Sequence, residues 1–329
     1  MNSRSMPFKR LLSFLFVLTA LPVLAAACGG GKAEPIIFSD LNWNSAQVQN
    51  RIVMFIVENG YGYPVSTVAG DAVSLQAGLQ NGDTHVTMEV WLPNQQAWWD
   101  EAIPNKQVVL AGKSLDDTWR SMFVVPTYVI EQNPGLRSVD DLAGYMGVFE
   151  TPDSNGRARL ITCLVEWQCQ TVNAEKVAAY GLEDVVALTD LGSRAAYFTD
   201  LEDTYRKGEP WLGYLWGPFS PVAGLDMTVL EEPAYSSECW EMSKRCAYPT
   251  SETFIAVHPS LVERAPAVVE FLGNYQYMAS VQLAVEQWVT DNDATVDEAA
   301  IWYLESRDEW KRFVPREIAE KVEAALAAL

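Results

Sequence analysis

The 329-residue sequence predicts an α/β protein of two lobes that face a common cleft. Three observations predict it. Strand-like and helix-like segments alternate in two successive runs, the pattern of parallel sheets with helices on their faces. No Pro- or Gly-rich linker separates the two runs, so they are lobes of one body rather than tethered domains. From Pro259 to the end the pattern is helical only, and those helices pack most cheaply back on the first run. Lobe one is therefore discontinuous: residues 36–125 build its first part, 126–221 build lobe two, and 222–329 return, with crossings near Pro126 and Pro221.

The elements follow in order. Ile36-Ile37-Phe38-Ser39 reads as a short buried strand. Asp40 to Asn44 is a polar turn that carries Trp43, and Ser45 can cap a helix whose apolar positions are Val48, Ile52, Phe55 and Ile56. Asn59-Gly60 stops it. Tyr63–Val68 is a strand, Gly70–Leu79 a helix, and Thr84–Trp91 an alternating strand stopped at Pro93. Phe123–Pro126 reads as the crossing strand. The second run places helices at Val139–Leu142, Arg159–Trp167, Ala174–Tyr180 and Ala195–Lys207, and strands at Met146–Phe149, Val185–Leu188 and Trp211–Trp216. Met227–Leu230 is the returning strand, followed by helices at Leu261–Met278, Val281–Val289, Val296–Ser306 and Pro315–Leu329. Ligands of parallel sheets lie at the carboxyl ends of strands, and those ends carry Trp43, Trp91 and Trp216.

The first residues set the compartment. Arg4, Lys9 and Arg10 form a basic start, Leu11 to Ala27 is apolar or small, and Cys28-Gly29-Gly30-Gly31 follows. This is the layout of a signal peptide over 1–27, too short for a retained span. Leu24-Ala25-Ala26-Ala27-Cys28 resembles a bacterial lipobox, with Ala25 in the slot of the usual Leu, so Cys28 is the expected lipidation site. Residues 28–35 are then a flexible tether. The expected location is extracytoplasmic, held to the cell membrane by lipid or free in the periplasm, with no other membrane contact.

Five cysteines are present. With Cys28 set aside, two close pairs remain, Cys163 with Cys169 and Cys239 with Cys246, and in an oxidising compartment each closes a small loop. The competing reading, a zinc site, asks for tighter spacing or nearby histidines, and the only two histidines, His85 and His258, are remote in sequence. No metal or cofactor is expected. The net charge of −20 repels nucleic acid and anionic headgroups. Catalysis has little to stand on: there is no nucleophile elbow, no HExxH and no phosphate loop, and Gly60-Tyr61-Gly62 lacks the rest of a dinucleotide fingerprint.

Four segments carry a resemblance. Gly82-Asp83 with Glu89-Val90-Trp91-Leu92-Pro93, Phe123-Val124-Val125-Pro126-Thr127-Tyr128-Val129, Cys163-Leu164-Val165-Glu166-Trp167-Gln168-Cys169, and Lys207-Gly208-Glu209-Pro210 with Tyr214-Leu215-Trp216-Gly217-Pro218 stand in this order. Together they resemble the glycine betaine-binding proteins of ABC importers. The resemblance implies a type II periplasmic-binding-protein fold, a permease and ATPase subunits as partners, and a monomeric binding protein without enzymatic activity. The implied ligand is a methylated ammonium compound: glycine betaine, choline, carnitine, proline betaine or trimethylamine N-oxide. It also implies a cage of Trp91, Trp167 and Trp216, and a carboxylate grip from the backbone of Gln168 and Cys169 with Gln95 as side-chain donor. This chain has Gln95-Gln96 where relatives often carry a histidine.

The residue types suit that chemistry independently. A trimethylammonium group has full charge and no N–H, so no acceptor can grip it, whereas tryptophan faces offer a negative quadrupole and apolar contact together. Of the twelve tryptophans, Trp288, Trp302 and Trp310 read as helix packing, and Trp98 and Trp99 as lobe-one surface. Trp119 lies close in sequence to the crossover, and Trp43 is a further cage candidate or a rim support. Glu89 reads as a buried or rim partner. Glu166 either favours a cation or faces solvent. The reading from another class is a lipid-anchored carbohydrate-binding or carbohydrate-active protein whose tryptophans stack sugars and whose carboxylates pair.

Overall fold

The computed structural model describes residues 34–116, 119–217 and 225–329. The expected leader, Cys28, most of the tether and the crossing near Pro221 lie outside them. Among the described residues no helix is long and apolar enough to cross a membrane.

The chain begins as the alternation predicts: β1 (Ile36–Leu41), α1 (Asn44–Ile56), β2 (Val65–Gly70), α2 (Ala72–Asn81) and β3 (Val86–Leu92). A short α3 (Gln96–Ala102) and β4 (Val109–Lys113) follow. The second run contains β5 (Arg120–Pro126), α4 (Thr127–Gln132), β6 (Ala158–Ile161), α5 (Cys169–Ala179), β7 (Val186–Thr189), α6 (Arg194–Lys207), β8 (Gly213–Gly217), β9 (Met227–Val229) and α7 (Ser237–Met242). The chain then returns through β10 (Glu252–Val257) and closes with α8 (Pro259–Arg264), α9 (Pro266–Asn274), α10 (Ala279–Asn292), α11 (Val296–Ser306) and α12 (Arg316–Leu326).

Two five-stranded sheets result. The first has the order β2-β1-β3-β10-β4, with β1 parallel to β2 and β3, and β10 antiparallel to its neighbours. The second has the order β7-β6-β8-β5-β9, with β6 parallel to β7 and β8, and β5 antiparallel to β8 and β9. This moves both lobe boundaries. The strand expected to end the first part of lobe one, β5, belongs to the second sheet along its whole length, so the crossing precedes Arg120 rather than Pro126. The expected returning strand, β9, also stays in the second sheet, and the strand that returns is β10. Its run Thr253-Phe254-Ile255-Ala256-Val257 is apolar without alternation because both faces are covered. The two crossings run side by side: Ser251 N–H donates to the Trp119 carbonyl at 2.8 Å, and Ser114 N–H to that of Thr253 at 2.9 Å.

Other local differences have plain causes. The helix expected over 261–278 breaks at Pro266, whose ring excludes a preceding helical turn. Arg159 lies in β6 rather than a helix, because the short apolar run there fills the place between β7 and β8. Met146–Val148 is a helical turn, not a strand. Ser45 does not cap α1; Trp43 holds the cap position and the Ser45 hydroxyl is spent elsewhere.

Helices α10, α11 and α12 share one core with α1 and the first sheet, in which Phe38, Ile52, Phe271, Tyr303 and Trp310 are buried. Trp288 stacks on Trp302 at 5.1 Å, and Trp99 on Phe254 at 5.2 Å. Lobe two has its own core around Phe123, Leu160, Tyr214 and Tyr248. Inside it Lys176 is 0% exposed. Its ammonium meets Glu232 at 2.5 Å and the Cys246 carbonyl, and stands 4.5 Å from the Tyr248 ring centre. That knot fastens the Cys239–Cys246 loop to α5. Lys176→Met leaves a buried carboxylate uncompensated and is expected to destabilise the protein by about 3–5 kcal/mol. Adding Glu232→Leu to it is expected to recover most of the loss, as read from urea midpoints of both variants.

Candidate functional site

The first wall of the site grows from β1, α1 and β3. Side chains two apart on a strand share a face, so Glu89 and Trp91 on β3 point the same way. The turn after β1 brings Trp43 over them. Glu89 is 1% exposed. Its Oε2 accepts from the indole Nε1 of Trp43 at 2.6 Å, from that of Trp91 at 2.8 Å, and from the Ser45 hydroxyl at 3.0 Å. Its Oε1 accepts from Gln49 Nε2 at 2.5 Å, and Gln49 in turn is held by the Ser114 hydroxyl at 3.0 Å. Burial pushes the Glu89 carboxyl up to about 7; the hydrogen bonds oppose that rise only in part, and Glu286 adds to it. One carboxylate thus fixes two indole planes. Trp119, fully buried, presses edge-on against Trp91 at 5.8 Å and supports it from behind.

The second wall comes from lobe two. Trp167 sits in the helical turn Val165–Trp167 ahead of α5, and the Cys163–Cys169 disulfide brackets that turn. Trp216 projects from β8. The two rings meet edge to face at 5.3 Å and 84°. Tyr197 and Phe198 of α6 back them, at 6.0 Å from Trp167 and 6.3 Å from Trp216 respectively.

Between the walls lies a small cavity of about 50 Å³, lined on its aromatic side by Trp43, Trp91, Trp167 and Trp216. A single water needs roughly 10–15 Å³ on that measure, so the space suits a molecule of a few heavy atoms. Asn94, Gln95, Ser121, Tyr214 and Cys169 complete the lining. The Ser121 and Tyr214 hydroxyls share a hydrogen bond of 2.6 Å. Among the described residues no lysine or arginine lines the cavity, and no cluster of His, Cys, Asp or Glu could hold a metal.

Six of the seven residues expected to bind ligand therefore line one cavity: Trp43, Trp91, Gln95, Trp167, Cys169 and Trp216. Gln168 does not. Its backbone is left-handed (φ 66°), its N–H donates to the Val165 carbonyl at 3.1 Å, and its side chain reaches Gln76 of lobe one at 3.0 Å. Cys169, the first residue of α5, is the helix N-terminal position that faces the cavity. Glu166 is neither in the cavity nor free: it accepts from Asn42, whose carbonyl oxygen accepts from the Trp167 indole at 2.9 Å. These contacts clasp the two lobes over the cavity. Sequence reasoning passed over Asn94, Ser121 and Tyr214. Tyr214 was within reach, being two residues from Trp216 on one strand; Ser121 faces Trp216 only through the β5–β8 register.

The family described as the substrate-binding domain of ABC-type glycine betaine transport systems matches residues 34–306. No curated protein matches the chain in sequence. Among solved structures, the chain is similar to the glycine betaine/L-proline-binding protein ProX of Borrelia burgdorferi, with TM-score 0.72 and 17% identity over 88% of this chain and 100% of that one. It is similar to lactococcal OpuAC in its closed, glycine betaine-liganded conformation, with TM-score 0.66 and 17% identity over 88% and 99%. An ABC-transporter choline-binding protein in complex with choline gives TM-score 0.71 and 16% identity over 89% and 98%. Likeness at these identities establishes the two-lobed type II periplasmic-binding-protein fold.

The raised Glu89 carboxyl links stability to pH. An acid held above its ordinary value of 4.5, here at about 7, contributes stability that is fully present below about pH 4.5 and lost as pH rises through 7. The size is about 3 kcal/mol. Glu89→Gln is expected to remove that slope from the ligand-free protein, read as urea midpoints across the interval; an unchanged slope contradicts it.

Proposed function

Because the chain belongs to the family of substrate-binding domains of ABC-type glycine betaine transport systems, we propose that it captures a methylated ammonium compound between Trp91, Trp167 and Trp216, with Trp43 as a fourth face. In this reading it delivers the ligand to a permease driven by ATPase subunits, outside the cytoplasm, as a monomer lipidated at Cys28.

The observation that carries the reading is the cavity itself: four tryptophans drawn from both lobes around a space that no cationic side chain lines among the described residues. A quaternary ammonium group is bulky, weakly hydrated and without an N–H to donate, so ring faces and apolar contact suit it. Desolvated cation–π contacts of about 2 kcal/mol each must overcome an association cost of at least about 4 kcal/mol. Burial and lobe closure supply the surplus, and the Asn42–Trp167 and Gln168–Gln76 contacts tie affinity to the closed state. At the other end of the ligand, the start of α5 at Cys169 offers backbone N–H groups and Gln95 an amide, a polar grip for a carboxylate or hydroxyl. Sugar stacking finds less support: Trp167 and Trp216 meet at 84°, so they offer no flat platform.

Tryptophan fluorescence or calorimetry with glycine betaine, choline, carnitine, trimethylamine N-oxide and a sugar control tests the reading. Saturable binding of at least one methylammonium compound is expected, and no response to any of them overturns it. Trp167→Ala is expected to weaken that binding by roughly tenfold or more, the equivalent of one desolvated cation–π contact, with the far-ultraviolet dichroism retained. Paired Cys→Ser replacement of Cys163 and Cys169 is expected to weaken binding more than that of Cys239 and Cys246, since only the first pair brackets a cage tryptophan. Equal losses would count against the bracket as a scaffold.

A further inference from the structure

Resting on the reading of the cage above, we propose that Glu89 is the specificity-determining residue of the pocket: its buried carboxylate, gripped by the indole N–H groups of Trp43 and Trp91, makes the cage select ligands of net positive charge over isosteric ligands without one. Orientation of the two indoles does not itself require a charge. A neutral amide oxygen at the same place could accept both N–H bonds. An ionised carboxylate at a position 1% exposed is costly to desolvate, and what it adds beyond orientation is a negative charge behind two of the cage faces.

The geometry gives that charge two routes to the ligand. Both indoles that bond Glu89 Oε2 also line the cavity, so each ring touches the carboxylate through its N–H and borders the ligand space. A hydrogen bond from an indole N–H to an anion polarises the ring toward a more negative face, which strengthens its hold on a cation. The charge also acts directly: at an effective dielectric near 20, a unit charge roughly 8 Å away changes cation affinity by roughly 10- to 30-fold. Among the described residues the lining includes no lysine or arginine that would cancel it.

The surroundings of Glu89 are otherwise quiet. Ser45 and Gln49 face it from α1, and Trp91 from its own strand. Glu286 of α10 adds like charge; it accepts from Gln282 at 2.7 Å and is coupled to Arg194 of α6. Tyr275 and Tyr277 sense the Glu89 charge, and burial holds both phenols well above their ordinary value, so neither ionises near neutrality. His85 lies just ahead of the first residue of β3, at the end of that strand opposite Trp91, where its ring accepts from the Ile37 N–H. With its carboxyl raised to about 7, Glu89 gains charge through the neutral range, and cation affinity rises with pH as it does.

The test is calorimetry with three probes of similar shape at about pH 6 and about pH 8: choline, glycine betaine, and the neutral carbon isostere dimethylbutanol. The wild-type protein is expected to bind choline more tightly at the higher pH and the isostere equally at both. Glu89→Gln is expected to abolish that pH dependence and to weaken choline roughly tenfold at about pH 8, while leaving the isostere within about twofold. Glycine betaine, whose own carboxylate opposes the effect, is expected to lose less than choline. Glu89→Asp keeps the charge but loosens the indoles, so it is expected to preserve the choline-to-isostere ratio even where every affinity falls. Equal losses of choline and isostere in Glu89→Gln, or a wild-type choline affinity independent of pH, overturn the assignment of Glu89 and leave the cage standing. Failure of the wild type to bind any quaternary ammonium probe overturns the cage and this assignment with it.

Discussion

Four donors converge on the Glu89 carboxylate, and the first wall of the pocket takes its shape from that convergence. An indole on a strand end has a free choice of rotamers until its N–H is claimed. Here one oxygen claims two indoles from different elements, so Trp43 and Trp91 cannot reorient independently. The arrangement needs β3 to present residues 89 and 91 on one face, and α1 to start directly after Trp43 so that Ser45 and Gln49 arrive on the opposite side. It explains why Ser45 leaves the helix start uncapped. A cap contributes about 1 kcal/mol, whereas an unsatisfied oxygen on a buried carboxylate costs more.

The second wall is held by different means. The short loop closed by the Cys163–Cys169 disulfide confines Trp167, and ring contacts with Tyr197, Phe198 and Tyr214 confine Trp216. Aromatic packing replaces the charge node, and lobe two keeps its own buried ion pair, Lys176 with Glu232, away from the pocket. The lobes meet through hydrogen bonds that Trp167 donates to Asn42, Gln168 to Gln76 and Asn42 to Glu166, and through two adjacent crossings. Apolar packing joins them as well: Tyr197, Leu201, Trp211 and Leu215 of lobe two belong to the same buried cluster as Phe38, Ile52 and Tyr277 of lobe one.

Much of the fold was readable in the chain because the strands ending at Leu41, Gly70 and Leu92 and the helices between them are local in origin: a buried apolar run, a period of 3.6, a Gly or Pro stop. The errors share one cause. β5, β9 and β10 look alike as short apolar runs, and which sheet each joins depends on pairing partners far away in sequence. By local pattern alone Arg120–Pro126 therefore falls at the end of the wrong lobe, and Met227–Val229 passes for the strand that Glu252–Val257 actually provides. Likewise Trp119 is a neighbour of the crossover in sequence yet serves only to support Trp91 from the core.

Residue order alone supplies the kinds of side chain available for the pocket and their positions at strand and turn ends: Trp43, Trp91, Trp167 and Trp216, with cysteines spaced to bracket one of them. It specifies an acidic chain with few histidines and no catalytic motif. Long-range packing draws these four rings around a single space and brings Ser121 and Tyr214 to join them. It alone turns Gln168 toward the other lobe and makes Glu89 the acceptor for both indoles of the first wall. The reason is physical. Residue type and strand period are properties of a short segment, whereas burial, and with it the charge state of a carboxylate, is set by everything that packs around it.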